Sequence, residues 1–273
     1  MSDKNVKWSL YLCLISFAVV MVFPFLWCLL SSFKTPDQII TIPPTFFAKT
    51  YTLDNYIQVL KGGHFVRWYI NSIGCALVVT LTVCFFSALS GYAFAKFEFK
   101  GKLIIFAFIV SALMIPMQML IIPWYYMASG LGLVDTYLGI IFPGLISAFG
   151  IFFMKQSIES VPDSLIEAAR IDGTPDFKIF WKIVLPLVKP SLSALAILTF
   201  ISNWDAFLWP LIVINSPTMK TLPVGLQAFA GAQGINYHLI MAASNLVIVP
   251  VIIIYLILQK QIVKSVATSG VKG

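Results

Sequence analysis

Charge is scarce in this sequence. Asp, Glu, Lys and Arg make up 11% of its 273 residues, against about 25% in a soluble domain. That shortage excludes a water-soluble globule. The hydrophobic share, 59%, exceeds what a core can absorb, so the surplus must face lipid. Histidine is nearly absent: only His64 and His238 occur, both in expected external loops. The four cysteines, Cys13, Cys28, Cys75 and Cys84, all lie inside apolar runs. They read as small hydrophobes, which excludes a disulfide framework and a metal-ligand set. Also missing are a GxxxxGK[ST] phosphate loop, an HExxH pair, a nucleophile elbow and any internal repeat. No catalytic constellation can be built from what remains. The net charge of +7 is not gathered into a basic face, which nucleic-acid binding requires.

What the sequence does have is long apolar runs. A helix needs about 20 apolar residues to cross the hydrocarbon. Six segments qualify: roughly 9–31, 69–92, 103–123, 137–154, 191–214 and 239–258. The reading is an all-α integral membrane protein, one transmembrane domain over 1–273. The first run exceeds a signal-peptide core and lacks a small-residue cleavage site, so it is expected to stay as the first transmembrane helix. Pro24, Pro116, Pro143, Pro210 and Pro250 sit in or near the spans, where neighbouring helices tolerate them. With both termini inside, thirteen basic residues fall on the cytoplasmic side and five outside. That asymmetry predicts cytoplasmic termini and a multi-pass protein of the cell membrane. Trp8, Trp68, Trp124 and Trp209 are expected in the interfacial belts.

One stretch breaks the apolar pattern. Residues 167–190 read EAARIDGTPDFKIFWKIVLPLVKP. The 155–190 loop carries five basic and five acidic residues, so it is not built to cling to anionic lipid. Pro162 and Asp163 start a short helix. Leu165, Ile166, Ala168 and Ala169 form its apolar face, and Gly173 stops it. Thr174, Pro175 and Asp176 open a second helix lined by Ile179, Phe180 and Ile183, expected to end at Pro186 and Pro190. Such a pair can fill a groove on another protein or rest on the membrane surface. The residues alone leave both open.

Glu167-Ala168-Ala169, Asp172-Gly173 and Ile183-x-Leu185-Pro186 resemble the signature loop of the membrane subunits of ABC importers. Ser31-Ser32-Phe33-Lys34, Pro43-Pro44, Leu53-x-Asn55-Tyr56, Asn71-Ser72, Gly91-Tyr92-Ala93-Phe94-Ala95, Trp204, and Phe207-Leu208-Trp209-Pro210-Leu211 extend it. So does Gly270-Val271-Lys272-Gly273. Together they look like the six-helix permease subunit of maltose-type carbohydrate importers of prokaryotes. The resemblance implies a type I importer fold. It implies that Glu167, Ala168, Ala169, Asp172 and Gly173 meet a cytoplasmic ATPase. It implies a homologous second permease, two ATPase copies and an extracytoplasmic solute-binding protein as partners. This chain would bind no cofactor, and ATP and Mg would sit on the ATPase. Two departures stand out: Asp205 replaces the family's usual Asn, and Ser265–Ser269 replaces its Gly-Leu tail step.

A solute path is expected around the middle of the fifth span. Asn203, Trp204, Asp205 and Phe207 combine polar groups with rings, as a sugar requires, and a charge there calls for a polar cavity. Gln118 and Asn245 are further lining candidates, with interhelical hydrogen bonding as their alternative. Asp205 could equally be a structural acid bonded to another helix. The alternatives are an ABC importer of glycerol phosphate, polyamine or an anionic oligosaccharide, and a secondary transporter. The last would show inverted repeats and ion-coupling charges.

Overall fold

The computed structural model describes residues 3–229 and 235–270, with side chains over 7–229 and 235–257. The tail motif falls beyond this: 271–273 lie outside the described residues, and the side chains of 258–270 outside the described side chains. Nearly all of the described chain is helical. Among the described residues, three helices are long and apolar enough to cross a membrane by themselves: Lys7–Ser31, Phe65–Lys96 and Tyr237–Ile257. Counting each bent pair as one span raises the number to six.

The bent pairs correct the expectation of uninterrupted spans. The 103–123 stretch is two helices, Lys102–Ser111 and Met117–Gly130, joined by a tight turn over Ala112–Met114. The two arms meet at 105°. Pro116 explains the break: it lacks an N–H and pushes Ile115 out of the helical region, to ψ 117°. The 137–154 stretch bends by 47° between Tyr137–Gly144 and Ala148–Glu159, at residues 145–147. Residues 191–214 divide as well, into Lys189–Trp204 and Leu208–Val213, with Asp205–Phe207 outside either helix. Hydropathy averaged over a window cannot see such breaks.

Cα packing groups the chain into two compact units. The first holds Met1–Val66 and Gly225–Pro250. Its polar residues interlock at the end of the first helix. Asn55, itself buried, donates from Nδ2 to the carbonyls of Ser32 and Lys34, at 2.7 and 2.8 Å. Ser32 Oγ and the Tyr56 hydroxyl share a bond of 2.7 Å. Lys34 is only 1% exposed. Its ammonium donates to Thr45 O and lies 4.8 Å from the Trp27 ring centroid. Burial pulls its pKa below the ordinary lysine value.

The second unit holds Arg67–Val224 and Val251–Gly273. Its spine is the Phe65–Lys96 helix, whose Cys75, Val79, Val83, Ala88 and Tyr92 enter the core. Glycine lets this helix touch Ala148–Glu159 backbone to backbone. A Cβ on Gly91 would lie 2.8 Å from the Lys155 nitrogen, and one on Gly150 would collide with Ser87. Trp209 and Trp68, expected at the interfaces, are 4% and 5% exposed. Each buried indole N–H has found a carbonyl: Gly139 O for Trp209, at 2.9 Å, and Pro217 O for Trp68, at 2.6 Å. Trp124 is half-buried against Trp209, while Trp8 is exposed.

Candidate functional site

Two features of the second unit are candidates for function: a hairpin and a cavity. The hairpin begins where Lys96 ends the long helix. Lys96 Nζ donates to Val161 O at 2.6 Å and to Asp163 Oδ1 at 2.7 Å, fixing the start of the Asp163–Ile171 helix. Gly173 takes φ +74°, a region that glycine enters without penalty. Its N–H donates to Arg170 O, and the Thr174 N–H donates to Ala169 O, both at 3.0 Å. This is the Schellman arrangement, and it satisfies the last carbonyls of the helix. Arg170 then bridges to Asp176 at 2.9 Å, stapling the two arms across the turn.

The second arm continues farther than expected. Asp176–Ile179 runs into one π-turn, Phe180–Val184, and then Leu185–Leu187. The wide turn carries the helix past Pro186, which would otherwise clash with a carbonyl one turn back. The bend of 80° comes only at Val188, ahead of Pro190.

Burial divides the hairpin into two faces. Ile166, Ala169, Ile179, Phe180 and Val184 enter the core beside Tyr92, Met154 and Ile158. Phe180 lies 5.5 Å from the Tyr92 ring. The opposite face is open: Glu167, Ala168, Asp172 and Gly173 are exposed, with Ile171 at 86% and Phe177 at 61%. Four of the five expected contact residues therefore lie on the outward face. Ala169 does not. It faces inward, since it follows Ile166 by three residues on the same helical stripe. Leu165 and Ala168, expected on the apolar face, are exposed.

The cavity has a volume of about 710 Å³. All three breaks converge on it. Leu113, Ile115 and Met117 come from the first, Pro143, Gly144 and Ser147 from the second, Ser202, Asn203 and Ala206 from the third. Ser72, Cys75, Val79 and Val83 of the long helix form another wall, and Trp124, Trp209 and Thr221 complete it. Irregular backbone at membrane depth is tolerated where it lines such a space. Among the described residues, its lining contains no Asp, Glu, Lys, Arg or His.

Of the six residues expected along the path, only Asn203 lines this cavity. Its Nδ2 donates to Thr199 O at 2.8 Å, and Gly144 allows the close approach of its Oδ1. Trp204 is fully buried elsewhere, edge-on to Tyr69 at 5.5 Å and stacked on Phe200 at 6.0 Å. Asp205 caps the end of its helix and is exposed. The helix ends there, and Trp209 lies on the next one, Leu208–Val213. Phe207 and Gln118 are exposed outside the lining. Asn245, in the first unit, donates to Met241 O and Cys28 O, which is the interhelical role. Sequence reading missed Ser72, Ser147, Thr199, Ser202 and Thr221. Asn71-Ser72 was a motif in the resemblance, and that was the only available signal.

Near the other end of the long helix, polar groups form a clasp. Asn71 Nδ2 donates to Thr218 O and Lys220 O, both at 2.9 Å, and Ser72 Oγ accepts from the Leu222 N–H at 2.7 Å. Asp135, at φ +59°, accepts from the backbone N–H groups of Asn215 and Ser216 and from the Ser216 hydroxyl. The Ser216 bonds hold its carboxyl below the usual carboxylate range.

Comparison with known proteins bears on these features. Residues 85–268 match the family described as binding-protein-dependent transport system inner membrane component. That range includes the hairpin. The chain is 37% identical to the arabinooligosaccharides transport system permease protein AraQ of Halalkalibacterium halodurans, covering 98% of this chain and 97% of the relative. It is 36% identical to the AraQ protein of Bacillus subtilis, over 94% and 92%. Among solved structures, it resembles a chain of a bacterial ABC transporter involved in import of the acidic polysaccharide alginate. There the TM-score is 0.84 and identity 26%, covering 95% of this chain and 98% of that one.

Proposed function

The chain belongs to the family of inner membrane components of binding-protein-dependent transport systems, and we propose that it is the permease subunit of an ATP-driven importer of an oligosaccharide. Its curated relatives named for sugars support the carbohydrate. The observation that carries the mechanism is the long helix Phe65–Lys96. One end of it walls the cavity through Ser72, Cys75, Val79 and Val83. The other packs the hairpin through Tyr92 and pins it through Lys96. Closely packed helices move as bodies because interiors resist compression. A push on the exposed face of the hairpin therefore reaches the cavity wall.

In this reading the hairpin and both termini are cytoplasmic. Two ABC ATPase copies bind and hydrolyse ATP with Mg, and this chain catalyses nothing. A homologous permease completes the path, and an extracytoplasmic solute-binding protein delivers the sugar. Glu167, Ala168, Asp172, Gly173 and the exposed Ile171 and Phe177 meet the ATPase. Closure of the ATPases drives the hairpin and switches the cavity between inward and outward access.

The test is Ala168→Trp, which adds bulk to the open face while leaving the buried stripe intact. Sugar uptake should fall to background, with the subunit inserted at normal level. Gly173→Pro, which cannot adopt φ +74° and loses the N–H to Arg170, should do the same. Normal uptake in both variants removes the hairpin from coupling. Membrane-impermeant labelling of a cysteine at 176 from outside intact cells would overturn the orientation.

A further inference from the structure

The charge balance of the 155–190 loop hides a division between its two arms. Three of its acids are paired: Glu159 with Lys155, Asp163 with Lys96 and Asp176 with Arg170. The other two, Glu167 and Asp172, are exposed on the first arm and its tip. Lys178 and Lys182 of the second arm, and Lys189 just after it, are exposed as well. None of the three lysines lies within ion-pair distance of a carboxylate among the described residues. The unpaired charge is thus negative on the first arm and positive on the second.

The second arm also has two faces. Ile179, Phe180 and Val184 are buried. Lys178, Trp181 and Lys182, at i, i+3 and i+4, form a stripe on the opposite side. Trp181 is 47% exposed, and its ring lies near that of Phe85, with centroids 6.4 Å apart. Phe85, itself 39% exposed, stands 11 residues before Lys96 on the long helix, a rise of about 16 Å. Trp181 therefore lies against the flank of a membrane-crossing helix, well above its Lys96 end. A soluble partner does not reach that depth, and lipid does. Direction agrees. The second arm meets the spanning arm Lys189–Trp204 at 80°, so it runs along the membrane surface and not through it. At that level an indole sits between headgroups and acyl chains, and neighbouring lysines extend toward lipid phosphates.

We propose that the Lys178–Trp181–Lys182 stripe seats the second arm on an anionic phospholipid surface, with Trp181 at the boundary of headgroups and acyl chains and the lysines, Lys189 included, on lipid phosphates. The inference rests on the cytoplasmic placement of the hairpin and divides its labour: the first arm is left for the ATPase, and the second holds to the membrane.

The experiment uses the assembled importer in phosphatidylcholine nanodiscs. These carry a trace of phosphatidylglycerol or of phosphatidylcholine with a diazirine near the head of one acyl chain. After illumination, mass spectrometry counts lipid adducts over residues 177–190. Phosphatidylglycerol should label this segment about tenfold more than phosphatidylcholine, the preference expected from lysines at an anionic surface. High salt should shrink the difference. Lys178→Gln with Lys182→Gln should abolish most of it, and Lys178→Arg with Lys182→Arg should keep it. Equal labelling by the two lipids overturns the anionic seat. Adducts on the spanning helices but none over 177–190 overturn the seating altogether. Loss of the ATPase from the purified Gln variant, with its lipid adducts unchanged, assigns the stripe to the ATPase and overturns the proposal too. If the Gln variant fails to assemble, the two lipids and the salt series on the wild type decide. Cysteine labelling at 176 separates the two readings. Label from outside the cell removes the cytoplasmic placement, whereas a protected 176 with no adducts removes only the lipid seat.

Discussion

The hairpin and the clasp are both fastened to the long helix, and they are fastened by opposite means. The hairpin is held by packing: Phe180, Val184, Ile179, Ile166 and Ala169 sit in the core. The clasp is held by hydrogen bonds along residues 215–222: Trp68 and Asn71 donate to backbone carbonyls, and Ser72 and Asp135 accept from backbone N–H groups. Burial of apolar surface is strong and non-directional. Hydrogen bonds are directional, and each adds modest net stability. The hairpin is thus welded by area. A part that must hold a loop in register is tied by geometry.

The largest effect should come from breaking the weld. Phe180→Ala should cost about 3–5 kcal/mol, as for a buried aromatic elsewhere. The purified subunit should melt lower, and protease should cut within 163–187. A melting temperature equal to wild type would mean that the hairpin is not held by packing. Breaking the clasp should do less. Asn71→Ala strips donors from two carbonyls and should cost about 1–3 kcal/mol. Hydrogen exchange should rise over 215–222 and stay unchanged over 163–187. Faster exchange in both segments would erase the distinction between them.

Acid should sharpen the contrast. The folded-state pKa of Asp135 lies below its unfolded value of about 3.8. Its contribution is therefore complete above that value and fades as pH falls through the folded pKa. Exchange over 215–222 should rise on acidification below about pH 4 in the wild type but not in Asp135→Asn. The smallest effect belongs to the hairpin's own ion pair. Arg170 and Asp176 are 41% and 47% exposed, so a double-mutant cycle should give about 0–1 kcal/mol, vanishing at high salt. A coupling well above that would make the hairpin a partly electrostatic device.

The helix content, the hairpin and the stop at Gly173 were legible, because periodicity, proline and glycine act locally. So was the outward position of Glu167, Asp172 and Gly173. The breaks at 115–116 and 205–207 were not, because window hydropathy measures greasiness and not continuity. Asp205 drew attention as a charge in an apolar run, yet the chain turns there and leaves it exposed. Thr221 and Ser147 could not be found at all. They reach the cavity from loops and caps, through contacts far apart in sequence. Trp209 and Trp68 are more buried than half-wet belt residues, because composition cannot show that a distant carbonyl waits for an indole N–H.

The uncharged lining has an electrical consequence. A cell membrane holds a voltage, and moving one elementary charge through it changes the energy by about 2.3 kcal/mol per 100 mV. Among the described residues its wall holds no ionised side chain, so the wall itself gives that voltage nothing to act on. The passage of a neutral solute would then move no charge. Import should proceed at the same rate in energised and depolarised vesicles, provided ATP is supplied.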